Sequence, residues 1–275
     1  MKFFCMLTLV LLLNSSRAQL LRSPPTVNLL GIGAYSGNFT DVFSFTTNQA
    51  VLSKVKSTSA GVFSEQKFML SELKRFSGAV IFPCFSGGAG ISIDHAGFDQ
   101  YTESHAGIAY GRSLGKKIDF GAQVNYYRVN IDGYGNAATI NFELGLVTKF
   151  TDKMFAGLHV YNPVGGRYGI DFSEKVASAY SFALGYEVSE ILLFTGTITK
   201  VTSQPVNLNI SFQYFFLKQS FLRGGTTTAT RSYYAGIGLR WKDITVAVAA
   251  DWHARIGVTP GLLLICQLLK PKPEQ

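Results

Sequence analysis

Apolar and polar residues alternate one by one through most of the chain after Ser57. Between Val206 and Tyr214 every second residue is apolar, and asparagine, serine and glutamine fill the positions between them. The same alternation runs from Ile244 to His253. Successive side chains of a strand point to opposite faces of its sheet, so each segment has one apolar face and one polar or small-residue face. The pattern therefore predicts β-strands.

Segments of this kind follow one another to the end of the chain. They number fourteen, an even number, as in single-chain bacterial outer-membrane barrels. The predicted strands are Thr58–Phe68, Glu72–Phe82, Ser86–Asp94, Ser104–Leu114, Ile118–Ile131, Thr139–Phe150, Met154–Tyr161, Val176–Glu187, Ile191–Val201, Val206–Leu217, Phe221–Thr227, Arg231–Trp241, Ile244–His253 and Ile256–Leu268.

The predicted connections alternate between short and long. Short polar links favour tight hairpins at one end of an up-and-down barrel. In outer-membrane barrels short turns face the periplasm and long loops face outside, so this alternation also predicts an orientation. The short links are 115–117, 151–153, 188–190, 217–219 and 242–243, and the long ones are Ala96–Glu103, Asp132–Ala138 and Asn162–Lys175.

The first residues have the features of a secretory signal peptide. Lys2 supplies a positive charge, Phe3–Leu13 is an apolar run, and Ser16-Arg17-Ala18 is a small-x-small cleavage site. We expect residues 1–18 to be removed and the mature chain to start at Gln19 without a lipid anchor. A spanning helix needs about 20 apolar residues, and polar residues interrupt every later apolar run before that length.

Export and alternation together favour a closed barrel in the outer membrane, with apolar side chains toward lipid and polar ones inside. Charged residues make up 15% of the chain, whereas soluble domains average about 25%. Tyrosine and tryptophan cluster near predicted strand ends, as at Trp241 and Trp252, which is typical of the aromatic girdles of such barrels. A soluble β-sandwich or barrel with an aromatic core is the alternative.

The stretch from Gln19 to Lys56 lacks the alternation. Pro24-Pro25 and three glycines interrupt it, and the residues from Phe39 to Leu52 have roughly helical spacing, with Thr40, Asp41 or Asn48 as candidate caps. Irregular backbone cannot face lipid, so we expect this segment inside the barrel or across its mouth. The barrel itself is predicted over residues 57–269, with a tail at 270–275. The predicted plug residues are Asp41, Phe43, Phe45, Asn48 and Leu52.

The sequence resembles a known family in several blocks. Gly31–Gly37, rich in glycine, and Asp41–Leu52, acidic and aromatic with Asn-Gln-Ala near its end, resemble the signature of PorV-like proteins. Gly61–Phe68, Phe221–Gly225 and Asp251–Pro260 are similar to strands of the same family, the FadL-related outer-membrane barrels of the Bacteroidota. The resemblance implies either passage of small hydrophobic molecules, as in FadL members, or accessory service to type IX protein secretion, as in PorV.

Candidate catalytic and metal-binding residues are few. The four histidines lack metal-ligand spacing, and Ser104 and His105 would point to opposite faces of one strand. We therefore predict no catalytic residues, no metal and no cofactor. The net charge of +8 is scattered rather than clustered, which argues against nucleic-acid binding. Cys84 and Cys266 are expected to be free thiols.

Polar residues on the predicted inner face are the remaining candidates for function. They form either a network that fills a sealed lumen or the lining of a polar or amphipathic conduit. The predicted partners are outer-membrane lipid, a secretion or surface protein complex, and a small hydrophobic ligand. The predicted lumen-facing residues are Asp119, Gln123, Asn125, Asn141, Glu143, Asn207, Asn209, Gln213, Arg240, Asp251 and His253.

Overall fold

The computed structural model describes residues 30–165, 167–168 and 174–269. The predicted signal peptide at residues 1–18, the first part of the predicted plug segment and the tail at 270–275 lie outside the described residues.

Fourteen antiparallel strands close into a barrel in which each strand pairs with its neighbours along the chain and the last strand pairs with the first. The prediction of an all-β, closed, fourteen-stranded antiparallel barrel is confirmed. Two further short strands, β8 (Arg167–Tyr168) and β9 (Glu174–Lys175), form a hairpin in the connection between the seventh and eighth strands of the barrel. The barrel strands are β1 (Thr58–Gln66), β2 (Lys74–Cys84), β3 (Gly87–Phe98), β4 (Tyr101–Leu114), β5 (Ile118–Ile131), β6 (Gly135–Lys149), β7 (Met154–Tyr161), β10 (Ala179–Ser189), β11 (Leu192–Val201), β12 (Val206–Phe215), β13 (Ser220–Thr227), β14 (Ser232–Trp241), β15 (Ile244–His253) and β16 (Gly257–Leu269).

Two of the three predicted long connections are wrong. Strand β3 continues to Phe98 and β4 begins at Tyr101, so the predicted loop Ala96–Glu103 is a two-residue turn. Likewise β6 begins at Gly135, which reduces the predicted loop Asp132–Ala138 to residues 132–134. Glycines beside both turns adopt the positive φ angles that tight turns require: Gly97 has φ +123 and Gly135 has φ +90.

The two ends of the barrel differ in their connections. At one end, the turn end, every connection has two to four residues: 85–86, 115–117, 150–153, 190–191, 216–219 and 242–243. At the other end, the loop end, the connections 67–73 and 162–178 are longer. Strand β1 starts at the turn end, where Thr58 pairs with Leu269, so the barrel wall begins at that end.

The inner and outer faces of the wall follow the alternation. On β12, Ile210 is 51% exposed on the outside, whereas Gln213 is 1% exposed inside. On β15, Val246 and Val248 are exposed, while Ala247 between them is buried. The exposed apolar residues of each strand therefore cover the outer surface, and the residues that alternate with them face the interior.

Residues 30–56, here called the luminal segment, lie inside the barrel. The segment folds into three short 3₁₀ helices, Ile32–Tyr35, Ser44–Thr46 and Gln49–Lys54. The Asn48 side chain caps the third of these by accepting a hydrogen bond from the Ala50 amide. The residue predicted as a cap at Asn48 thus starts a short 3₁₀ helix.

Inward-facing glycines of the wall make room for the luminal segment. A Cβ at Gly185 would overlap the carbonyl oxygen of Tyr35, and one at Gly157 would overlap the Tyr35 ring. A Cβ at Gly121 would overlap the backbone of Gln49 in the same way. At Gly185 and Gly121 the neighbouring atoms are backbone, which cannot rotate away as a side chain can. The strands can therefore approach the segment this closely only at positions that lack a side chain.

An apolar core joins the luminal segment to the turn-end half of the wall. Four side chains of the segment are at most 1% exposed and pack against inward-facing residues of several strands. This contact buries the segment as a hydrophobic core would, and it fills the turn-end half of the lumen. The segment contributes Val42, Phe43, Phe45 and Leu52, and the wall contributes Phe63, Ala79, Ala109, Phe221 and Leu263.

Candidate functional site

The outer surface has aromatic residues near both ends of the barrel. On β14, Tyr233 lies near the loop end and Trp241 near the turn end, and they are 60% and 65% exposed. Eight residues separate them, which corresponds to about 26 Å along the strand. Because the strands of outer-membrane barrels tilt by about 35–45° from the barrel axis, this is about 20 Å along the axis. The surface between them is apolar and is flanked by amphipathic rings, as in outer-membrane barrels, whose apolar band is about 25 Å tall. Other exposed aromatics of the two rims are Tyr180 and Trp252 at the loop end and Tyr186 and Tyr214 at the turn end.

Glu187 of β10 anchors the luminal segment at its first bend. Its Oε1 accepts hydrogen bonds from the Ser36 hydroxyl at 2.6 Å, the Gly37 amide at 2.7 Å and the Asn38 amide at 3.2 Å. Its Oε2 accepts from the Asn38 side chain at 2.7 Å. The carboxylate is 5% exposed, and this many donors compensate for its removal from water.

A second anchor is an ion pair across the interior. Asp41 lies 2.9 Å from the guanidinium of Arg223 on β13, which also donates to the Gln213 side chain at 2.8 Å. Asp41 in turn accepts from the Phe43 amide and so shapes the turn of the segment that follows it. Because Arg223 is 5% exposed, its charge depends on Asp41 for compensation.

The third anchor is formed by Asn48 and Gln49. The Asn48 side chain donates to the carbonyl oxygens of Leu146 and Leu158, on β6 and β7, at 3.3 Å and 3.1 Å. Gln49 donates to Glu143 at 2.8 Å. The segment therefore contacts the wall through polar groups on several sides, while its apolar side chains pack toward the turn end.

Glu143 is the centre of a wider polar network on strands β3–β7. It accepts from Asn125 at 2.7 Å and lies 2.9 Å from His159. Asn125 also contacts His105 at 2.7 Å, and His105 lies 2.8 Å from Asp94 on its other side. Carboxylate, imidazole and amide groups thus alternate across neighbouring strands and satisfy one another's hydrogen bonds within the lumen.

A chamber of about 650 Å³ occupies the loop-end half of the lumen. Gly31, Ile32, Tyr35, Thr46 and Thr47 of the luminal segment form its floor. The wall of the chamber consists mainly of serine, threonine and asparagine side chains on strands β10–β16. These are Ser181, Thr195, Thr197, Thr199, Asn207, Asn209, Ser211, Thr227, Ser232 and Thr259.

The connection between β1 and β2 folds over the edge of the chamber. Phe68 packs edge-on against His253, with ring centroids 6.2 Å apart, and its amide donates to Thr259 at 3.1 Å. Lys67 beside it lines the chamber. Burial lowers the pKa of the Lys67 ammonium, and the nearby positive charge of Arg75 lowers it further.

The predicted site residues occupy four places in the structure: the luminal segment, the turn end, the polar network with the Arg223 contact, and the chamber. Four of the five predicted plug residues are buried in the luminal segment, and Asp41 is half-buried at its ion pair. Asp119 pairs with Lys54 at the turn end, and Arg240 lies at the turn-end rim with its guanidinium over the Phe215 ring. Of the other lumen-facing predictions, five belong to the polar network or the Arg223 contact, and four line the chamber. The first set is Gln123, Asn125, Asn141, Glu143 and Gln213, and the second is Asn207, Asn209, Asp251 and His253.

Sequence reasoning missed the residues that hold the segment and shape the chamber. Glu187, Ser36 and Arg223 are not among the predicted site residues. The threonines of β11 also passed unnoticed because threonine is common in strands and is neither charged nor aromatic. The inward-facing glycines were the available signal, since glycine weakens a strand unless another group approaches closely.

Within the described residues, no group of three or more histidine, cysteine, aspartate or glutamate side chains is placed to hold a metal ion. Cys84 and Cys266 are free thiols. No helix in the part of the chain that the structure describes is both long and apolar enough to cross a membrane.

The sequence matches no protein-family model and no curated protein. Solved structures are similar in fold. The CymD monoaromatic hydrocarbon channel is 8% identical with a TM-score of 0.63, covering 90% of this chain and 99% of that one. The Pseudomonas putida toluene transporter TodX is 11% identical with a TM-score of 0.63, covering 87% and 98%. A Pseudomonas aeruginosa FadL homologue is 12% identical with a TM-score of 0.55, covering 86% and 96%. The chain therefore has the fourteen-stranded barrel fold of these FadL-like proteins.

Proposed function

We propose that the chain is an integral outer-membrane β-barrel, without enzymatic activity, that admits small hydrophobic molecules through its loop end. The observation that carries the proposal is the chamber of about 650 Å³, which opens at the loop end and is floored by the luminal segment. Ligand cavities in proteins commonly measure about 300 to 1,000 Å³, so the chamber has room for a small molecule.

The apolar exterior supports the membrane placement. Ile237, Val248 and Leu262 are each at least half exposed on the outer face, although such residues normally lie in a core. Covering one large aliphatic side chain gains about 1.5–3 kcal/mol, and exposed apolar bands of this extent mark lipid or protein contacts. Lipid around the whole circumference is the partner that fits a closed barrel.

The connections support an orientation for the proposed barrel. Because short turns face the periplasm in bacterial outer-membrane barrels, the loop end and the chamber mouth would face outside. Export through the signal peptide predicted at residues 1–18 is part of the same proposal.

The arrangement of Ser104 and His105 supports a role without catalysis. His105 points inward to Asp94, whereas Ser104 contacts His95 at 3.1 Å on the outer face. A nucleophile and its base must share a face to exchange a proton, and these two do not. The histidine that does contact Ser104, His95, is exposed on the outer face, away from the chamber. The named neighbours in fold are a channel and a transporter.

A filled chamber is expected to slow the entry of a hydrophobic dye. Thr197 lines the chamber and is half-buried, so a Thr197→Trp substitution would place an indole in the space a ligand needs. We expect Gram-negative cells that produce the wild-type chain to take up N-phenyl-1-naphthylamine faster than cells that produce this variant. The initial rate of fluorescence increase measures the difference.

The matched control is Ile198→Trp, one residue further along β11. Ile198 is 48% exposed on the outer face, where an indole would meet lipid and leave the chamber open. Its uptake rate should equal that of the wild type at equal amounts of protein in the membrane. Equal rates for all three proteins would contradict passage through the chamber.

A sealed barrel that binds a protein partner is the second candidate. The observation in its favour is the uninterrupted wall, in which hydrogen-bonded pairing runs around the full circle, together with the packed turn-end half. An accessory role in type IX protein secretion belongs to this candidate, and the exposed loop-end residues Met69 and Tyr134 would be available for contact. Recovery of a stoichiometric secretion component after mild detergent extraction, with no effect of Thr197→Trp on dye uptake, would favour it.

A further inference from the structure

The wall of the chamber on strands β10–β16 carries hydroxyl and amide groups where a hydrocarbon site would carry apolar side chains. Thr195, Thr197 and Thr199 alternate along β11, and Asn207 and Asn209 stand opposite them on β12. Each threonine presents a methyl group and a hydroxyl at the same depth. Such a surface can contact a hydrocarbon skeleton and hydrogen-bond with its substituents at once.

The hydroxyls of this wall retain unused hydrogen-bonding capacity. Ser181 and Thr199 lie 3.0 Å apart and hydrogen-bond to each other. Only one of the two can donate in that contact, so the other O–H and further acceptor positions remain for a ligand. A bare hydrocarbon would cover these groups without replacing their contacts to water, at a cost for each one.

The charged groups at the edge of the chamber already have partners within the protein. Glu65 lies 3.7 Å from Arg75, and the carboxylates of Glu65 and Glu103 stabilise the charge of Lys67. Glu143 is in contact with Gln49, Asn125 and His159. Asp251 accepts from Ser232 at 3.3 Å. A charged ligand would find no unpaired opposite charge among these groups and would lose its hydration on entry, which favours neutral ligands.

We propose that the chamber selects neutral molecules that combine a compact hydrocarbon skeleton with one or more hydroxyl groups, in preference to bare hydrocarbons. This inference rests on the proposed function, since it names the substrate class of the same chamber. The β11 threonines are the residues that set the preference. Thr197 and Thr199 take part through their hydroxyls, and their methyl groups contact the skeleton.

The test uses the full chain in lipid nanodiscs, labelled with ¹³C at threonine methyl groups. Benzyl alcohol and toluene are titrated separately, because they differ mainly by one hydroxyl group. For each compound we measure the free concentration at which the chemical shifts of the chamber threonines have changed by half of their full amount. The double variant Thr197→Val and Thr199→Val keeps the shape of the wall and removes two hydroxyls. Thr245→Val is the control, since Thr245 faces inward on β15 near the turn end, opposite Arg240.

The double variant should raise the half-saturating concentration of benzyl alcohol about fivefold, as expected for one lost hydrogen bond of about 1 kcal/mol, without raising that of toluene. Thr245→Val should change neither value. An unchanged value for benzyl alcohol, or an equal weakening of both ligands, would overturn the inferred preference and leave the proposed function standing. If neither compound shifts the chamber threonines of the wild type, the proposed function itself fails.

Discussion

A valine at position 185 is expected to displace the luminal segment and to raise the conductance of the barrel several-fold in planar bilayers. Gly185 faces inward on β10, and a Cβ there would overlap the carbonyl oxygen of Tyr35. The obstacle is backbone, which cannot rotate away, and Tyr35 belongs to a 3₁₀ helix with all four residues buried. Overpacking a tight contact costs about 1–3 kcal/mol even where side chains can move, so the displacement should be larger here.

The control for this substitution is Gly196→Val on the neighbouring strand. Gly196 pairs with Leu184, and nothing lies within 4 Å of a Cβ built on it. Both variants replace a strand glycine by a β-branched residue that favours strands, but Gly196 lies on the outer face with Phe194 and Ile198, where a valine cannot meet the segment. Deletion of residues 27–52 should give the same rise in conductance as Gly185→Val. A Gly185→Val barrel that conducts like the wild type and the Gly196→Val barrel would contradict the placement of the segment.

Removal of the Glu187 carboxylate is expected to have the second largest effect. The Glu187→Ala variant removes the acceptor of the buried Ser36 hydroxyl, of the Gly37 amide and of the Asn38 side-chain amide. A buried donor that loses a charged partner costs roughly 1.5–3 kcal/mol, whereas Gly37 and Asn38 are exposed and can turn to water. We expect the free energy of unfolding by urea in lipid vesicles to fall by about 2 kcal/mol.

Glu190→Ala provides the comparison for Glu187→Ala. Glu190 lies three residues further along the chain in the exposed turn between β10 and β11. Its removal should change the free energy of unfolding by less than about 0.5 kcal/mol. Limited proteolysis should also cleave the luminal segment near Asn38 sooner in Glu187→Ala than in Glu190→Ala. Equal stability and equal proteolysis of the two variants would show that Glu187 does not hold the segment.

The alternation of apolar and polar residues was sufficient to predict the barrel. It located all fourteen strands and placed Ile210 outside and Gln213 inside, because a period of two leaves each side chain only one choice of face. It could not locate the strand ends beside glycine. Gly97 and Gly135 adopt positive φ angles at tight turns, and the polar residues around them resemble a loop in sequence.

The contacts that hold the luminal segment could not be predicted from the sequence. Asp41 and Arg223 are 182 positions apart, and Ser36 and Glu187 are 151 apart. Their pairing depends on the height at which the segment sits in the barrel, which no local pattern records. The chamber escaped prediction for a related reason: the hydroxyl side chains on strands β10–β16 become one surface only when the closed barrel brings those strands together.

The central claim is that the apolar face of every strand meets lipid. The chain contains two tryptophans, Trp241 and Trp252. They are 65% and 58% exposed on the outer surface, near opposite ends of the barrel. Tryptophan fluorescence of the protein in vesicles of brominated phospholipids measures their depth directly. We predict strong quenching by lipids brominated near the head groups and weaker quenching by lipids brominated at the chain ends. Aqueous iodide should quench little. Quenching by iodide with no effect of brominated lipid would place these residues in water and contradict the account.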